Sequence, residues 1–443
     1  MMKRLSLIMV LALGWFIAAP MAHADSPKVT WGGLFYVYNF FHKNTDFDTR
    51  TEDGNSFMYI HGDIQYSVDF GNGVSIYSMI GAWGQHGANP YWGTDLQGNA
   101  DPGVRLLQAY MTVDHLFDSN WSLRMGKERL LYGDGMVFFD GGEDGAIQAK
   151  LMYRKDPISL DLFYCRLAQS HGIAYVGGAT YGGYNTSNSD QYPGNINAIA
   201  AYGTYKLNEN MNFSFYGIMR PQNVSKGKKD NPIWLGARLD GSPIGGVSVT
   251  GEFTLMSGKS ESSNQDYAGR AMLLRAGYAV PNSPVSFGGA YVSFSGDKTT
   301  TSGKNELYES VTNGPFTYGF YKDWPGFGPA HLMTTGYGFA GLDPGNTTMT
   351  NLNVINAYVK LGSGPFAVRF DFFNYSRNWV PSGGNKAMGN EFSVLATYNY
   401  KDSVTFGFTG GLWMPGDYWK KDMNLGDNAG SALGGYFYFA KAF

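Results

Sequence analysis

The feature that most restricts this chain is a two-residue alternation of apolar and polar side chains, recurring in segments along most of its length. Between positions 60 and 70, Ile60, Gly62, Ile64, Tyr66, Val68 and Phe70 alternate with His61, Asp63, Gln65, Ser67 and Asp69. Successive side chains of a strand point to opposite faces, so this run is a strand with one apolar and one polar face. Val247, Val249, Gly251, Phe253 and Leu255 repeat the pattern against Ser248, Thr250, Glu252 and Thr254, and Val404 to Leu412 repeats it again. Each run has the roughly 9 to 11 residues that a tilted strand needs to cross a bilayer. After the N-terminal leader there is no second long apolar run. A helical span is therefore excluded, whereas a closed barrel, which needs only every second residue to face lipid, is not.

The connections sharpen this reading. Tight turns fall at 71–73, 115–120, 156–157, 207–210, 240–245, 280–284, 362–364 and 401–403. Longer polar loops fall between them, near 42–56, 84–103, 130–145, 169–196, 221–231, 257–268, 295–350, 377–389 and 415–431. Short and long alternate throughout, as in an up-and-down antiparallel barrel with short turns at the periplasmic rim and long loops outside. The two sets imply an all-β transmembrane barrel of 18 strands with both termini in the periplasm. Four segments, near 29–41, 74–83, 197–206 and 285–294, alternate poorly, and a merged hairpin there would give 16 strands.

The N-terminus has a separate role. Lys3 and Arg4 precede an apolar run from Leu5 to Ala19, then Pro20 and Ala22-His23-Ala24. That order is a secretory signal peptide with cleavage expected after Ala24, leaving 25–443 as one barrel domain. Cleavage removes two cations, so 31 Lys+Arg stand against 36 Asp+Glu in the mature chain, a net charge of about −5. That balance argues against a nucleic-acid partner. At the other end, Gly435 to Phe443 alternates toward a terminal Phe, resembling the signal by which the barrel-assembly machinery recognises outer-membrane proteins. Lys441 departs from that signal, and it can snorkel at the interface.

Parity then sorts the charged residues. With Trp121, Leu123 and Met125 toward lipid, Arg124 faces the lumen, and the same rule turns Lys150, Arg154, Arg220, Arg238, Arg275, Lys360 and Arg369 inward. The opposite parity would place cations against lipid at about 2–4 kcal/mol each near the midplane. Asp63, Asp161, Glu252 and Asp371 share the inward face, giving a mixed lining in which basic groups predominate. The expectation is a channel that passes anionic or carbohydrate solutes; bracing of the wall by salt bridges is the alternative. The loop from Ser295 to Thr350 is far longer than the roughly 12–15 residues beyond which loops usually carry function. It contains Phe316, Tyr318, Phe320, Tyr321, Trp324 and Phe327 and is expected to fold over or into the outer mouth, narrowing the pore.

The run Arg124 to Asp134 resembles the alginate export family of outer-membrane channels, in which a strand leads into Gly-Arg-Gln and then a Tyr-Gly-Asp-like loop. Gly126, Tyr132, Gly133 and Asp134 match it, while Lys127 and Glu128 stand where the family carries Arg and Gln. Leu412 to Trp419 resembles the same family's final hairpin. The resemblance implies an 18-stranded passive channel, lined by Arg and Lys, for an anionic substrate. No cofactor or metal is expected: the lone Cys165 has no ligand partners at metal spacing, and Asp140, Glu143 and Asp144 lack the spacing of a calcium loop. Ser170-His171 lacks an acid at a reasoned distance, so catalysis is not expected, and a barrel with hydrolytic or adhesive loops is the alternative function.

Overall fold

The computed structural model describes residues 27–44, 47–51, 54–86, 104–133, 137–139, 146–168, 196–225, 228–298, 303–311, 350–401 and 403–443. Eighteen strands form its wall: β1 (Lys28–Lys43), β2 (Asn55–Asp69), β3 (Val74–His86), β4 (Val104–Val113), β5 (Trp121–Glu128) and β6 (Ala146–Lys155) come first. They are followed by β7 (Ile158–Ala168), β8 (Ile196–Asn208), β9 (Met211–Met219), β10 (Lys228–Gly241), β11 (Val247–Ser260) and β12 (Arg270–Ala279). The last six are β13 (Val285–Phe294), β14 (Leu352–Ser363), β15 (Phe366–Arg377), β16 (Ala387–Tyr400), β17 (Val404–Pro415) and β18 (Ala432–Ala442). Each pairs antiparallel with its sequence neighbours, and β18 returns to β1 from Leu34↔Ala442 to Lys43↔Leu433. Closure leaves no strand edge exposed. All eight expected turns connect strands at one end, here the turn end, and the long connections gather at the other, the loop end.

The four poorly alternating segments are all separate strands, β1, β3, β8 and β13, so the count is 18 and not 16. On β1, β8 and β13 the weak alternation has a physical cause, because the inward faces meet other side chains instead of water. On β1, Tyr38 and Phe40 point into the barrel against Tyr436 and Tyr438 of β18. On β13, Ala290, Val292 and Phe294 are buried inside, with Tyr308 stacked on Phe294 at 5.5 Å. Two apolar faces carry no period-two signal.

Outward positions form an apolar band: Ile64, Ile147, Leu235, Leu255, Phe370 and Phe437 are all exposed. At the turn end this band finishes in aromatic pairs, among them Trp31–Tyr66 at 5.3 Å, Trp121–Tyr153 at 5.0 Å and Phe366–Tyr398 at 4.5 Å. Amphipathic rings are suited to a membrane–water boundary. Inside, the buried apolar core lies toward the loop end, where Trp234, Met256, Phe294, Tyr375 and Trp413 of the wall meet side chains delivered by loops. In β4, the register skips Leu107, which bulges inward beneath Gly81.

Candidate permeation path

Inward-facing residues of the wall fall into three arcs. On β5 and β6, Arg124 and Lys150 stand opposite one another in register. Glu128 joins them, accepting from Arg124 Nη1 at 2.5 Å and from Lys150 Nζ at 2.9 Å, with Gln148 Nε2 at 2.7 Å. Arg124 also donates from Nε to Thr112 Oγ1 at 3.0 Å and lies over the Tyr110 ring. Nearer the turn end, Arg154 is ion-paired with Asp161 at 2.5 Å.

The second arc runs from β10 to β15. Arg238 is buried between Glu252, at 2.9 Å, and Asp240, at 3.0 Å, and the Tyr216 hydroxyl also donates to Glu252 at 2.8 Å. Arg275 donates to Thr250 Oγ1 at 3.2 Å. Arg369 reaches Asp371 at 2.8 Å and lies 3.9 Å from the Tyr358 ring centroid, while Asn356 Nδ2 donates to Asp371 at 3.0 Å. Lys360, opposite Arg369 in register, is exposed and bonds no described residue. The third arc, on β18, β1 and β2, is aromatic: Tyr38 stacks on Tyr438 at 5.4 Å and Tyr36 stacks on His61 at 4.5 Å. Asp63 lies here, 3.3 Å from His61 Nε2 and accepting from the Leu34 N–H at 3.2 Å.

Two loops enter the barrel. Beyond β5 the chain turns inward, burying Leu130 and Tyr132; the Tyr132 ring stacks on Phe163 at 5.0 Å and its hydroxyl donates to Asp161 at 3.1 Å. Gly133 then adopts φ +63° so close to β11 that a Cβ would come within 2.7 Å of the Glu252 carboxylate. The loop after β13 supplies the second piece, residues 303–311. Tyr308 is buried, Trp234 Nε1 donates to the Glu309 carbonyl at 2.7 Å, and Arg220 Nη1 donates to the Val311 carbonyl at 2.8 Å. The two pieces meet where the Val311 N–H donates to the Val137 carbonyl at 2.9 Å. Together they line the inside of β7 to β13 toward the loop end.

Every expected inward cation and acid among the described residues lies on the inner face, although Arg220 reaches the infolded loop and not open lumen. In the Arg124–Asp134 motif the residues separate: Glu128 and Tyr132 point in, Lys127 points out, and Gly126 has φ +137° with no room for a Cβ against Ala109 and Tyr110. Asp134, Asp140, Glu143, Asp144, Ser170 and His171 lie outside the described residues, as do Phe316, Tyr318, Phe320, Tyr321, Trp324 and Phe327. Sequence reasoning named Glu128 only as a motif position, not as an inward acid, and it missed the inward acids Asp230, Asp240, Glu309 and Glu391, the last buried and bonded to Ser393 at 2.8 Å. Glu128 and Glu391 were open to the parity rule; Glu309 belongs to no strand and carried no signal.

No family model and no curated protein matches the chain. Solved structures do. Acinetobacter baumannii OccAB1 aligns with a TM-score of 0.59 at 12% identity over 94% of this chain and 96% of that one. Pseudomonas aeruginosa OccK8 (OprE) gives 0.57 at 12% identity over 94% and 98%, and P. aeruginosa OprD gives 0.55 at 13% identity over 95% and 97%. These are outer-membrane porins, so the fold likeness runs to OprD and Occ barrels and not specifically to the alginate export family. In architecture the chain is a closed 18-stranded antiparallel β-barrel like that of the OprD and Occ porins.

Proposed function

We propose that this protein is an outer-membrane channel for the passive passage of hydrophilic solutes, with a preference for anions. The observation that carries the reading is the sorting of charge across the wall: cations of β5–β6 and β10–β15 face inward while the outward band is apolar. Fixed charges lining a pore set the sign of the ions that enter it. Ion pairs do not remove this effect. Glu128 is shared between two cations, and Lys360 beside Arg369 adds a charge with no carboxylate bonded to it among the described residues. Carbohydrates are a second solute class for the same path, since a half-buried inward aromatic such as Tyr36 suits a sugar ring. The resemblance of the Arg124–Asp134 run makes an acidic polysaccharide such as alginate one solute to test. Export through a signal peptide cleaved after Ala24, and recognition of the terminal Phe443 by the barrel-assembly machinery, belong to the same proposal.

The test is a reversal potential in a KCl gradient across a planar bilayer. Wild type is expected to prefer anions, and the preference should fade as screening length falls from about 8 Å at physiological salt to about 3 Å at 1 M. It should invert when Arg124, Lys150, Lys360 and Arg369 are all replaced by Glu. Cation preference in the wild type would exclude the reading.

A further inference from the structure

At Glu252 three parts of the chain meet. Its carboxylate, on the inner face of β11, is buried and accepts from Arg238 Nη1 of β10 at 2.9 Å and from the Tyr216 hydroxyl of β9 at 2.8 Å. The first infolded piece reaches the same group, for a Cβ on Gly133 would lie 2.7 Å from Oε2 and 2.9 Å from Oε1. The second arrives through buried Tyr308, whose hydroxyl is hydrogen-bonded to Thr254, the next inward residue of β11, within electrostatic reach of the Glu252 charge. Thr254 Oγ1 in turn lies 2.6 Å from the Tyr216 hydroxyl.

The path of the first piece explains why this meeting point matters. The chain leaves the wall after Glu128 of β5, and five residues later it is beside β11, six strands along. Five residues span at most about 18 Å, whereas six strand spacings measure about 29 Å along the wall. The segment therefore cuts across the lumen. Tyr132 supports it on the way, packing on Phe163 at 5.0 Å and on Tyr202 at 4.9 Å, and Tyr202 stacks on Tyr216 at 5.6 Å. At the far end, position 133 takes φ +63° with the carboxylate where a side chain would begin, so glycine alone permits the approach. An ionised carboxylate has about four acceptor sites, more than Arg238 Nη1 and Tyr216 use.

We propose that Glu252 is a positioning residue that clasps both infolded pieces inside the barrel and thereby sets the size of solute that passes. The clasp rests on the reading of the protein as a channel. A Glu252 that serves only as the ion-pair partner of Arg238 would leave the pore unchanged once the pair is replaced as a unit.

The test measures single-channel conductance in planar bilayers, and the largest polyethylene glycol that enters the pore, for wild type, Arg238→Met/Glu252→Leu, Arg238→Met/Glu252→Gln and Gly133→Val. The Leu pair and Gly133→Val should each raise conductance about 1.5-fold or more and admit larger polymer, as expected of a widened pore. The Gln pair, whose amide oxygen still accepts, should stay near wild type. Wild-type conductance and polymer cut-off in a heat-modifiable Leu pair, or in Gly133→Val, would overturn the clasp. So would an equal rise in both pairs, which would assign the effect to the loss of Arg238. Gly133→Val lies off the wall and leaves the buried pair intact, so it tests the clasp whether or not the Leu pair folds. A wild type that passes no current defeats the channel reading, whereas unchanged variants of a conducting barrel defeat the clasp alone.

Discussion

Arg238 shows how much a single lining residue can carry. It is buried with Glu252 and bonds it at 2.9 Å, so removing the cation takes from a buried carboxylate the charge it is bonded to, leaving hydrogen bonds such as that from the Tyr216 hydroxyl. Breaking a buried pair from one side typically costs about 3–5 kcal/mol. Arg238→Met is therefore expected to lower barrel stability by about that much in urea unfolding from detergent micelles, whereas Arg238→Met combined with Glu252→Leu should recover most of the loss. At this scale the sequence was informative about direction and silent about partners. Parity placed Arg124, Lys150 and Arg238 inward because a strand offers only two faces. It could not show that Glu128 would sit between two of them, because that depends on register with β6, nor that Arg220 would reach residues 310 and 311 some 90 positions away.

The infolded loops are the elements that depart most from a plain barrel. Residues 129–133 and 303–311 press against the inside of β7 to β13 and are tied together through Val137 and Val311. A lumen narrowed by packed chain should widen when that chain is removed. Replacing 304–310 with a Gly-Ser linker is expected to raise single-channel conductance and to quench or shift Trp234 fluorescence, since Trp234 Nε1 loses the Glu309 carbonyl. Unchanged conductance would take this segment out of the permeation path. The strands themselves were legible wherever one face met water, as on β2 and β11. They were faint on β1, β8 and β13, where loop or neighbouring aromatics cover the inner face. Loops gave only their length and their aromatic content, because what a loop packs on is decided by distant strands.

For the molecule as a whole, the rhythm of short turns and long loops carried the topology, since an antiparallel ladder leaves each strand little choice of neighbour. Turn chemistry made the short ends plain: Gly71-Asn72-Gly73 has positive φ at all three residues, the conformation that such residues favour in a tight turn. A closed ladder of eighteen strands has no edge at which unfolding can begin cheaply. The protein is therefore expected to run as a compact band in SDS gels and to shift mobility only after boiling. Mobility that does not change on heating would count against closure.

The seam gives the chain a property that its linear sequence conceals. Leu34↔Ala442 to Lys43↔Leu433, extended by reciprocal bonds between Gly33 and Phe443, join the two ends as continuously as any hairpin joins its neighbours. Around the cylinder there is then no first strand. A short linker between Lys28 and Phe443 at the turn end, with new ends opened in the loop between β17 and β18, would give a circular permutant with the same cyclic order of neighbours. In such a chain Phe443 is no longer terminal, so closure of the wall becomes separable from the recognition proposed for that terminus.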